Sequence, residues 1–241
     1  YYFNQNSTFG TEAELRSMIT TFKNKQIGTI ADVVINHHGT NNGWFGFPAE
    51  VYKGVTYQNL STDVCADDDG GAAATEARRT GTQLSQNNDE GEGWGGMRDL
   101  DHKSGNVQKI VKAYENFLLN DLGYAGFRYD MVKGFAASHV GNYNIAANVT
   151  YSVGEYWDGN ANTVKGWIDG TGKRFVHIIN PFTGHPMTGE MLSATVIAKT
   201  AVESDAYSTM FMIIGLEKSK EFLAKHPELK ALLVYSDHNN E

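Results

Sequence analysis

The chain has 241 residues, of which 41% are apolar and 12% are aromatic. A chain of this length and composition can bury a core of ordinary size, which excludes a disordered polymer. Its 28 acidic and 20 basic residues give a formal net charge of -8. This charge disfavours nucleic acid and anionic membrane surfaces as partners, so we expect a neutral substrate or a cation instead.

The sequence carries no visible segment for membrane insertion or export. No window approaches the roughly 18 uninterrupted apolar residues of a membrane-spanning helix, and no basic run precedes a short apolar stretch, so we predict neither a membrane span nor a signal peptide. The chain opens on Tyr1, which leaves an earlier leader and the cellular compartment open. The single Cys65 excludes an internal disulfide and a multi-cysteine metal site. The oligomeric state cannot be predicted.

The first 173 residues alternate between helical and extended patterns. Thr11 with Glu14 forms a capping box that predicts a helix over about 11–25. The apolar, β-branched run over 27–36 is typical of a strand buried on both faces of a parallel sheet. A long loop rich in glycine and acidic residues follows. The next predicted elements are a helix over 107–118 ended by Gly123, a strand over 124–130, a short helix or turn over 135–148 and a strand over 149–155.

This order of elements predicts parallel strands joined by right-handed crossovers, as in an α/β barrel or a doubly wound sheet. After about residue 174 the pattern changes, and we expect a short α+β segment of different character. Its predicted elements are strands over 176–179, 192–198 and 231–235, and helices over 201–214 and 217–225.

Two acidic residues, Asp130 and Glu155, each stand at the C-terminal end of a predicted strand. Adjacent parallel strands lie about 4.8 Å apart, so the two carboxyl groups can approach the roughly 5 to 5.5 Å separation that retaining glycosidases use. Arg128 would point to the same side as Asp130 and keep that carboxylate ionised. The alternative is that both are ordinary solvated acids at strand ends.

Three ordered motifs resemble sequence regions of the α-amylase family of glycoside hydrolases. They are DVVINH at 32–37, GFRYDMVKG at 126–134 and VGEYWDG at 153–159. The resemblance extends over about residues 1–173, including FGTEAEL at 9–15 and RDLDH at 98–102. It implies retaining hydrolysis of α-1,4-glucosidic bonds in starch-type α-glucans, and it makes a secreted or periplasmic location plausible.

The resemblance also implies roles for individual residues. Asp130 would be the catalytic nucleophile, Glu155 the general acid/base, and Arg128 the arginine beside the nucleophile. His37 would contact the sugar at the cleaved bond. Lys133 and Trp157 are further candidates for substrate binding, and Lys133 with Gly134 is similar to the plant-type variant of the second region.

Calcium is the cofactor that the resemblance implies, with Asn36, Asp99 and the backbone carbonyl of Gly134 as ligands. Calcium takes six to eight oxygen ligands, and the long loop offers further carboxylates, at Asp63, Asp67, Asp68, Asp69 and Asp101. For the run 67–69, a solvated acidic turn is favoured over a ligand cluster. The indole rings of Trp44, Trp94 and Trp157 can stack on sugars, although packing is the more common role of a tryptophan.

The family fold is an eight-stranded (β/α) barrel of about 250 residues, of which this chain would supply about strands three to five. The aspartate of the family's fourth region is missing, and SDHN at 236–239 does not match that region's pattern. We therefore expect impaired starch hydrolysis. The predicted parts are a partial barrel over 1–38, a calcium-binding loop subdomain over 39–103, a partial barrel with the catalytic strand ends over 104–173, and a C-terminal segment over 175–241.

The C-terminal segment has its own constellation, Asp205 and Thr209, spaced i, i+4 on a predicted helix. A carboxylate and a hydroxyl on one face make a partial magnesium site, although a helix-dipole aspartate beside an unrelated threonine is more common. Its surroundings resemble FAD-dependent protein flavinyltransferases, through HIINPFTG at 177–184, LSATVIAKTA at 192–201 and ESDAYSTMFMIIGLEKSKEFL at 203–223. The resemblance implies that Asp205 and Thr209 bind magnesium and that His177 lies beside the pyrophosphate of FAD.

The two resemblances meet near Arg174 with no linker, which suggests a fused or misassembled chain. The leading hypothesis is an α-amylase-type glycoside hydrolase. The alternatives are a magnesium-dependent FAD:protein FMN transferase fragment and a non-catalytic calcium- or carbohydrate-binding module.

Overall fold

A computed structural model describes residues 1–172 and 191–235. The chain divides into two compact units, Tyr1–Arg174 and Phe175–Glu241. The predicted strand at 176–179, His177 and the SDHN segment lie outside the described residues. Within the described ranges, no helix combines the length and the apolar character needed to cross a bilayer.

The described part of the first unit alternates helices with short strands. Its helices are α1 (Glu12–Asn24), α2 (Ala72–Thr80), α3 (Gly105–Asn116), α4 (Ala137–Ala147) and α5 (Ala161–Gly170). Its strands are β1 (Ile30–Val33), β2 (His37–His38), β3 (Glu50–Tyr52), β4 (Val55–Tyr57), β5 (Arg98–Asp99), β6 (Gly126–Tyr129) and β7 (Tyr151–Gly154).

The central sheet of this unit is parallel, with the order β1-β6-β7. Helices connect its strands along the chain, so the predicted α/β arrangement with parallel pairing is confirmed. In the register, Asp32 on β1 lies opposite Arg128 on β6, and Arg128 lies opposite Val153 on β7. The main core packs against one face of this sheet and includes the fully buried Val33, Phe127, Tyr129, Tyr143 and Ile110.

Local signals fix the helix ends as the sequence predicts. At the start of α1, the Glu14 amide donates to Thr11 Oγ1 and the Thr11 amide donates to Glu14 Oε2, at 3.3 and 2.8 Å. Helix α3 continues into a π-helical turn over Phe117–Leu122 and ends at Gly123, which has a left-handed φ of 91°. Because glycine has no Cβ, it adopts this conformation without steric strain.

The strand predicted over 27–36 is shorter and less buried than expected. Strand β1 alternates, with Ala31 and Val33 buried while Ile30 is 45% exposed and Asp32 is also exposed. The expectation of burial on both faces is wrong because only the helix-facing side of β1 is covered in the described structure. The other side carries Asp32 and is open to solvent.

The segment between β2 and α3 is a packed subdomain and not an extended loop. Strands β2 and β5 pair antiparallel at its two ends, and β3 and β4 form a hairpin. A small core of its own contains Phe47, Val64 and Ala73. The pairing of β2 with β5 brings His37 beside Asp99, so this subdomain is anchored next to the end of β1.

One buried carboxyl group lies in the main core. Glu115 on α3 is 0% exposed, and its Oε1 accepts a 2.9 Å hydrogen bond from the Tyr129 hydroxyl. Its Oε2 has no hydrogen-bond partner among the described residues. Burial raises the pKa of Glu115 to about 8, against the smaller opposing effects of Tyr129 and Lys112.

The described part of the second unit consists of β8 (Met191–Ile197), α6 (Ala201–Ile214), α7 (Leu216–Lys225) and β9 (Lys230–Tyr235). Strands β8 and β9 pair antiparallel, with a register shift between Met191 and Ser193. Thr200 and Glu203 form the capping box of α6. The predicted order of strand, two helices and strand is confirmed here.

Candidate active site

Asp130 and Glu155 lie at the same edge of the parallel sheet. Each follows the last residue of its strand, and the hydrogen-bond ladder continues through both. The Asp130 amide donates to Val33 O and the Glu155 amide donates to Tyr129 O, each at 2.9 Å. Because the C-terminal ends of neighbouring parallel strands meet at one edge, their side chains converge there.

The guanidinium of Arg128 bridges the two acids. Its Nη1 lies 2.7 Å from Asp130 Oδ1, and its Nη2 lies 2.5 Å from Glu155 Oε1. The same Nη1 also lies 2.7 Å from Asp32 Oδ1. Asp32 is a third carboxylate that sequence reasoning missed. The signal that would have found it is the register, because Asp32 on β1 lies directly opposite Arg128 on β6.

Burial raises the pKa of Asp130, and the hydrogen bond and charge of Arg128 oppose this effect. That this arginine keeps Asp130 ionised stays a prediction. The hydrogen bond to Trp157 is the largest cause that lowers the pKa of Glu155, with smaller contributions from the Met131 amide, Asp130 and Arg128.

His37 lies beside this edge, at the wall of a cavity of about 450 Å³. The cavity is also lined by Tyr1, Tyr2, Asp32 and Met97. Burial lowers the pKa of His37, and the charge of Asp130 opposes this effect. The imidazole and the side chain of Asp32 therefore border this cavity, whose lining does not include Asp130 or Glu155.

The tryptophans and Lys133 differ in whether their side chains are free to contact a ligand. Trp157 is 74% exposed beside Glu155, so its ring is free to meet a ligand. Trp94 instead stacks on His37, with ring centroids 5.1 Å apart, and Trp44 packs against the guanidinium of Arg98. Lys133 Nζ lies 2.6 Å from Glu92 Oε1, which ties it to the loop subdomain.

The three calcium ligands implied by the resemblance converge. Asn36 Nδ2 donates to Asp99 Oδ1 at 3.1 Å, and a Cβ on Gly134 would overlap Asn36 Oδ1. Both carboxylate oxygens of Asp99 accept from the Trp94 amide, at 3.1 and 3.0 Å. No group of three or more His, Cys, Asp or Glu side chains with metal-binding geometry occurs in the described residues, so a cation here depends on amide and carbonyl oxygens as well.

Asp89 joins this set although sequence reasoning did not select it. Its Oδ2 is buried and has no hydrogen-bond partner among the described residues. A Cβ placed on Gly93 would lie 2.8 Å from Asp99 Oδ2 and 3.5 Å from Asp89 Oδ2, so both oxygens face the same backbone. Burial, together with the charges of Asp89 and Asp68, raises the pKa of Asp99 to about 7. Crowded oxygens of this kind fit a calcium ion.

Two of the other loop acids, Asp63 and Asp101, accept hydrogen bonds from serine hydroxyl groups. Asp63 Oδ1 accepts from Ser104 Oγ at 2.6 Å, and Asp101 Oδ2 accepts from Ser85 Oγ at 2.5 Å. The expectation of a solvated acidic turn over 67–69 is wrong for Asp68, which is 1% exposed. Asp68 is buried because it pairs with a buried cation, Arg98, whose Nη1 lies 2.8 Å from Asp68 Oδ2.

Gly134→Ala should destabilise the chain by about 1 to 3 kcal/mol, because the new methyl group must displace the Asn36 side chain. Chemical denaturation of the purified chain measures the change. Gly166→Ala is the matched control: its position on α5 has open space around it, so alanine should stabilise that helix slightly. Equal stability of Gly134→Ala and the unaltered chain would contradict the close packing of Gly134 on Asn36.

The candidate magnesium residues lie on α6 of the second unit. Asp205 and Thr209 are both exposed, one helical turn apart, so their oxygens can share one face. Helix α6 begins after the capping residue Thr200. His177, the third candidate of this unit, lies outside the described residues.

Comparison with known proteins shows that the first unit is similar to α-amylases in both sequence and structure. The family model described as alpha amylase, catalytic domain, matches residues 1–175. "Probable alpha-amylase 2" of Arabidopsis thaliana is 28% identical over 188 residues, which cover 71% of this chain and 41% of that protein. An α-amylase from Malbranchea cinnamomea aligns in structure with a TM-score of 0.51 at 22% identity, over 70% of this chain and 34% of that one.

The C-terminal part is similar to a different family. The ApbE family model matches residues 159–233, which begins earlier than the boundary at 175 that the motifs predict. The FAD:protein FMN transferase of Escherichia coli (strain K12) is 48% identical over 54 residues, which cover 22% of this chain and 15% of that protein. The chain thus spans less than half of each of these relatives.

The amylase match covers the carboxylate pair, Arg128, His37 and the crowded oxygens of the loop subdomain. It also covers well over half of the 241 residues, and the structural neighbour shares the fold of this part of the chain. The chain therefore belongs to the α-amylase catalytic-domain family.

Proposed function

We propose that the first unit carries the retaining chemistry of α-1,4-glucosidic bond hydrolysis, in a weakened form. The observation that carries the proposal is the contact of Asp130 and Glu155 with one guanidinium at the ends of neighbouring parallel strands. Contact with two nitrogens of one guanidinium brings the two carboxyl groups close together, as the nucleophile and the acid/base of a retaining glycosidase are. It therefore favours double displacement over inversion.

In the proposed reaction, Asp130 attacks the anomeric carbon while Glu155 protonates the departing glycosidic oxygen. Water then attacks the glycosyl ester, with Glu155 as the base that takes its proton, and Asp130 is released. Arg128 would orient both carboxylates through charge-assisted hydrogen bonds. The neutral His37 and the exposed Trp157 would contact the sugar.

Two features support a weak activity. A general acid must hold a proton at the working pH, but the contacts of Glu155 lower its pKa, which favours the ionised form. Burial raises the pKa of Asp130, so the nucleophile ionises less readily than a solvated aspartate does. Both directions oppose what the first step requires.

A calcium ion would be held by Asp89, Asp99, Asn36 and the carbonyl of Gly134, if the site is of the family type. When bound, the ion would supply positive charge to these crowded oxygens. The chain's own groups hold the loop subdomain on β1, since Asn36 follows β1 and Asp99 pairs with His37.

An activated substrate separates the acid step from the rest of the reaction. An aryl α-maltoside has a good leaving group that needs little protonation, so kcat/KM for this substrate should far exceed that for starch per bond. The activity on the aryl substrate should rise with pH as Asp130 loses its proton. Release of aryl alcohol and of reducing sugar measures the two reactions.

A folded sample that cleaves neither substrate, with or without calcium, would contradict the proposed activity. A chain that binds calcium without cleaving either substrate would then fit the alternative of a non-catalytic module. Similar rates for both substrates would contradict the proposed weakness of the acid step.

A second candidate function, favoured by the 48% identity to an FMN transferase, belongs to the second unit. Asp205 and Thr209 would hold magnesium, which neutralises phosphate charge when bound, and His177 would lie near the pyrophosphate of FAD. Incubation with FAD, magnesium and a threonine-containing acceptor peptide tests this function. An FAD concentration that stays unchanged would contradict it, and Asp205→Ala should abolish any cleavage.

A further inference from the structure

The loop subdomain contains a buried cation that the proposed reaction does not use. Arg98 is 5% exposed, and a guanidinium so far from water needs compensating partners. Its Nη1 lies 2.8 Å from Asp68 Oδ2, a charge contact whose angle falls outside hydrogen-bond geometry. Its Nη2 lies 3.7 Å from Asp69 Oδ2, and its Cζ lies 4.1 Å from the ring centre of Trp44.

The partner carboxylate also contacts the backbone next to Arg98. Asp68 Oδ1 accepts a 2.9 Å hydrogen bond from the Asp99 amide, while its Oδ2 faces the guanidinium. One buried carboxylate therefore links the Arg98 side chain to the Asp99 backbone. The Asp99 carbonyl is held separately, since it accepts from the Cys65 amide at 3.0 Å.

Arg98 and Asp99 are consecutive residues of β5, so their side chains point to opposite faces. Arg98 points to the pair of Asp68 and Asp69. Asp99 points to Asn36 and the amide of Trp94. Fixing Arg98 on one face consequently fixes the direction of the Asp99 carboxylate on the other.

The turn that contains Asp68 has an unfavourable backbone conformation, which the charge contacts with Arg98 can stabilise. Asp69, Gly70 and Gly71 follow one another with φ of 53, 63 and 89°, all in the left-handed region. For a residue with a Cβ this conformation carries a steric cost, and Asp69 is the residue whose carboxylate faces Arg98. The charge contacts of Arg98 thus hold both acids of this turn toward β5.

We propose that Arg98 is a positioning residue that, through Asp68, preorganises the Asp99 carboxylate for the cation of the loop subdomain. The proposal rests on the calcium site of the proposed function. A partner behind a metal ligand typically contributes about 10- to 100-fold to metal affinity. Arg98→Gln should weaken calcium binding by about that factor, because Asp68 then loses its buried counter-charge and the Asp99 amide loses a fixed acceptor.

The test uses the full chain, freed of metal with a chelator and titrated with calcium chloride in a calorimeter. Arg98→Lys keeps the charge without the planar fork, so its loss of affinity should be smaller than that of Arg98→Gln. Asp68→Asn keeps an oxygen for the Asp99 amide but no charge, and it should also bind more weakly. Arg79→Gln is the matched control, since Arg79 forms an exposed ion pair with Glu76 on α2, and it should bind like the unaltered chain.

Thermal melting without calcium, measured on the same variants, separates positioning from a purely structural role. A lower melting temperature with an unchanged calcium affinity of the folded protein would overturn the proposal. If Arg98→Gln does not fold, Arg98→Lys and Asp68→Asn decide, and normal affinity in both would overturn it. Absence of calcium binding by the unaltered chain would contradict the calcium site itself and the proposal with it.

Discussion

Asp130→Asn should lower kcat/KM for the aryl α-maltoside by at least about 10³-fold, as removal of a catalytic nucleophile does. The amide is a poor nucleophile and cannot form the glycosyl ester. Glu155→Gln should behave differently, with a large loss of kcat/KM on starch and a small loss of kcat/KM on the aryl substrate, because kcat/KM reports formation of the glycosyl ester and only starch needs a strong acid in that step. The contrast between substrates distinguishes the two roles within one pair of acids.

Asp158→Asn is the control for this pair of variants. Asp158 is exposed, lies three residues after Glu155 and accepts a hydrogen bond from the Asn160 amide. The Asp158→Asn variant should therefore be as active as the unaltered chain. Equal losses for Asp130→Asn and Glu155→Gln on the aryl substrate would contradict the assigned roles. Retention of activity by Asp130→Asn would contradict the role of Asp130 as nucleophile.

Glu115→Gln should remove a large part of the pH dependence of stability. The pKa of Glu115 is about 8 in the folded chain against an ordinary 4.5, so the folded state binds more protons than the unfolded state between these values. Its contribution is fully present below about pH 4.5, falls as the pH rises, and is lost above pH 8. By linkage, the free energy of unfolding should fall by up to about 5 kcal/mol through this group.

Denaturant unfolding of both proteins between pH 5 and 9 measures this effect. The difference between the Glu115→Gln variant and the unaltered chain should grow with pH in favour of the variant. Glu217→Gln, at an exposed position of α7, should follow the unaltered chain. A constant difference between Glu115→Gln and the unaltered chain across this range would contradict the raised pKa of the buried acid.

The elements governed by short-range signals could be predicted from the sequence. The capping box of Thr11 and Glu14 and the glycine end at Gly123 are complete within a few residues, so their outcome depends little on the rest of the fold. The parallel order of strands also follows from the alternation of patterns. The burial of β1 could not be predicted, because exposure of Ile30 depends on what covers that face.

In the candidate site, too, some residues could be predicted from the sequence, while others depend on contacts that only the fold creates. Asp130 and Glu155 stand out as acids at strand ends, and the side of Arg128 follows from its spacing. Asp32 required the register between β1 and β6, and Asp89 required the path of the loop subdomain past Gly93. The burial of Asp68 depends on Arg98, thirty positions later in the chain, so the acidic run alone suggested a solvated turn.

The pKa directions of the pair were also beyond sequence reasoning. Arg128 alone would lower the pKa of Asp130, but burial has the larger effect and reverses the outcome. The same arginine reaches Glu155, which spacing along one strand could not indicate. The pKa of Glu155 is lowered most by Trp157, two residues later, and then by contacts with the end of the neighbouring strand.

Trapping of the covalent intermediate tests the central claim most directly. An α-glucosyl fluoride with a second ring fluorine slows both steps of double displacement, and the Glu155→Gln variant slows release of the ester further because it lacks the base. After incubation, intact-mass and peptide mass spectrometry should find one added fluoroglucosyl group on Asp130, and none in Asp130→Asn. An adduct on another residue, or hydrolysis of the fluoride with no adduct at Asp130, would contradict the account.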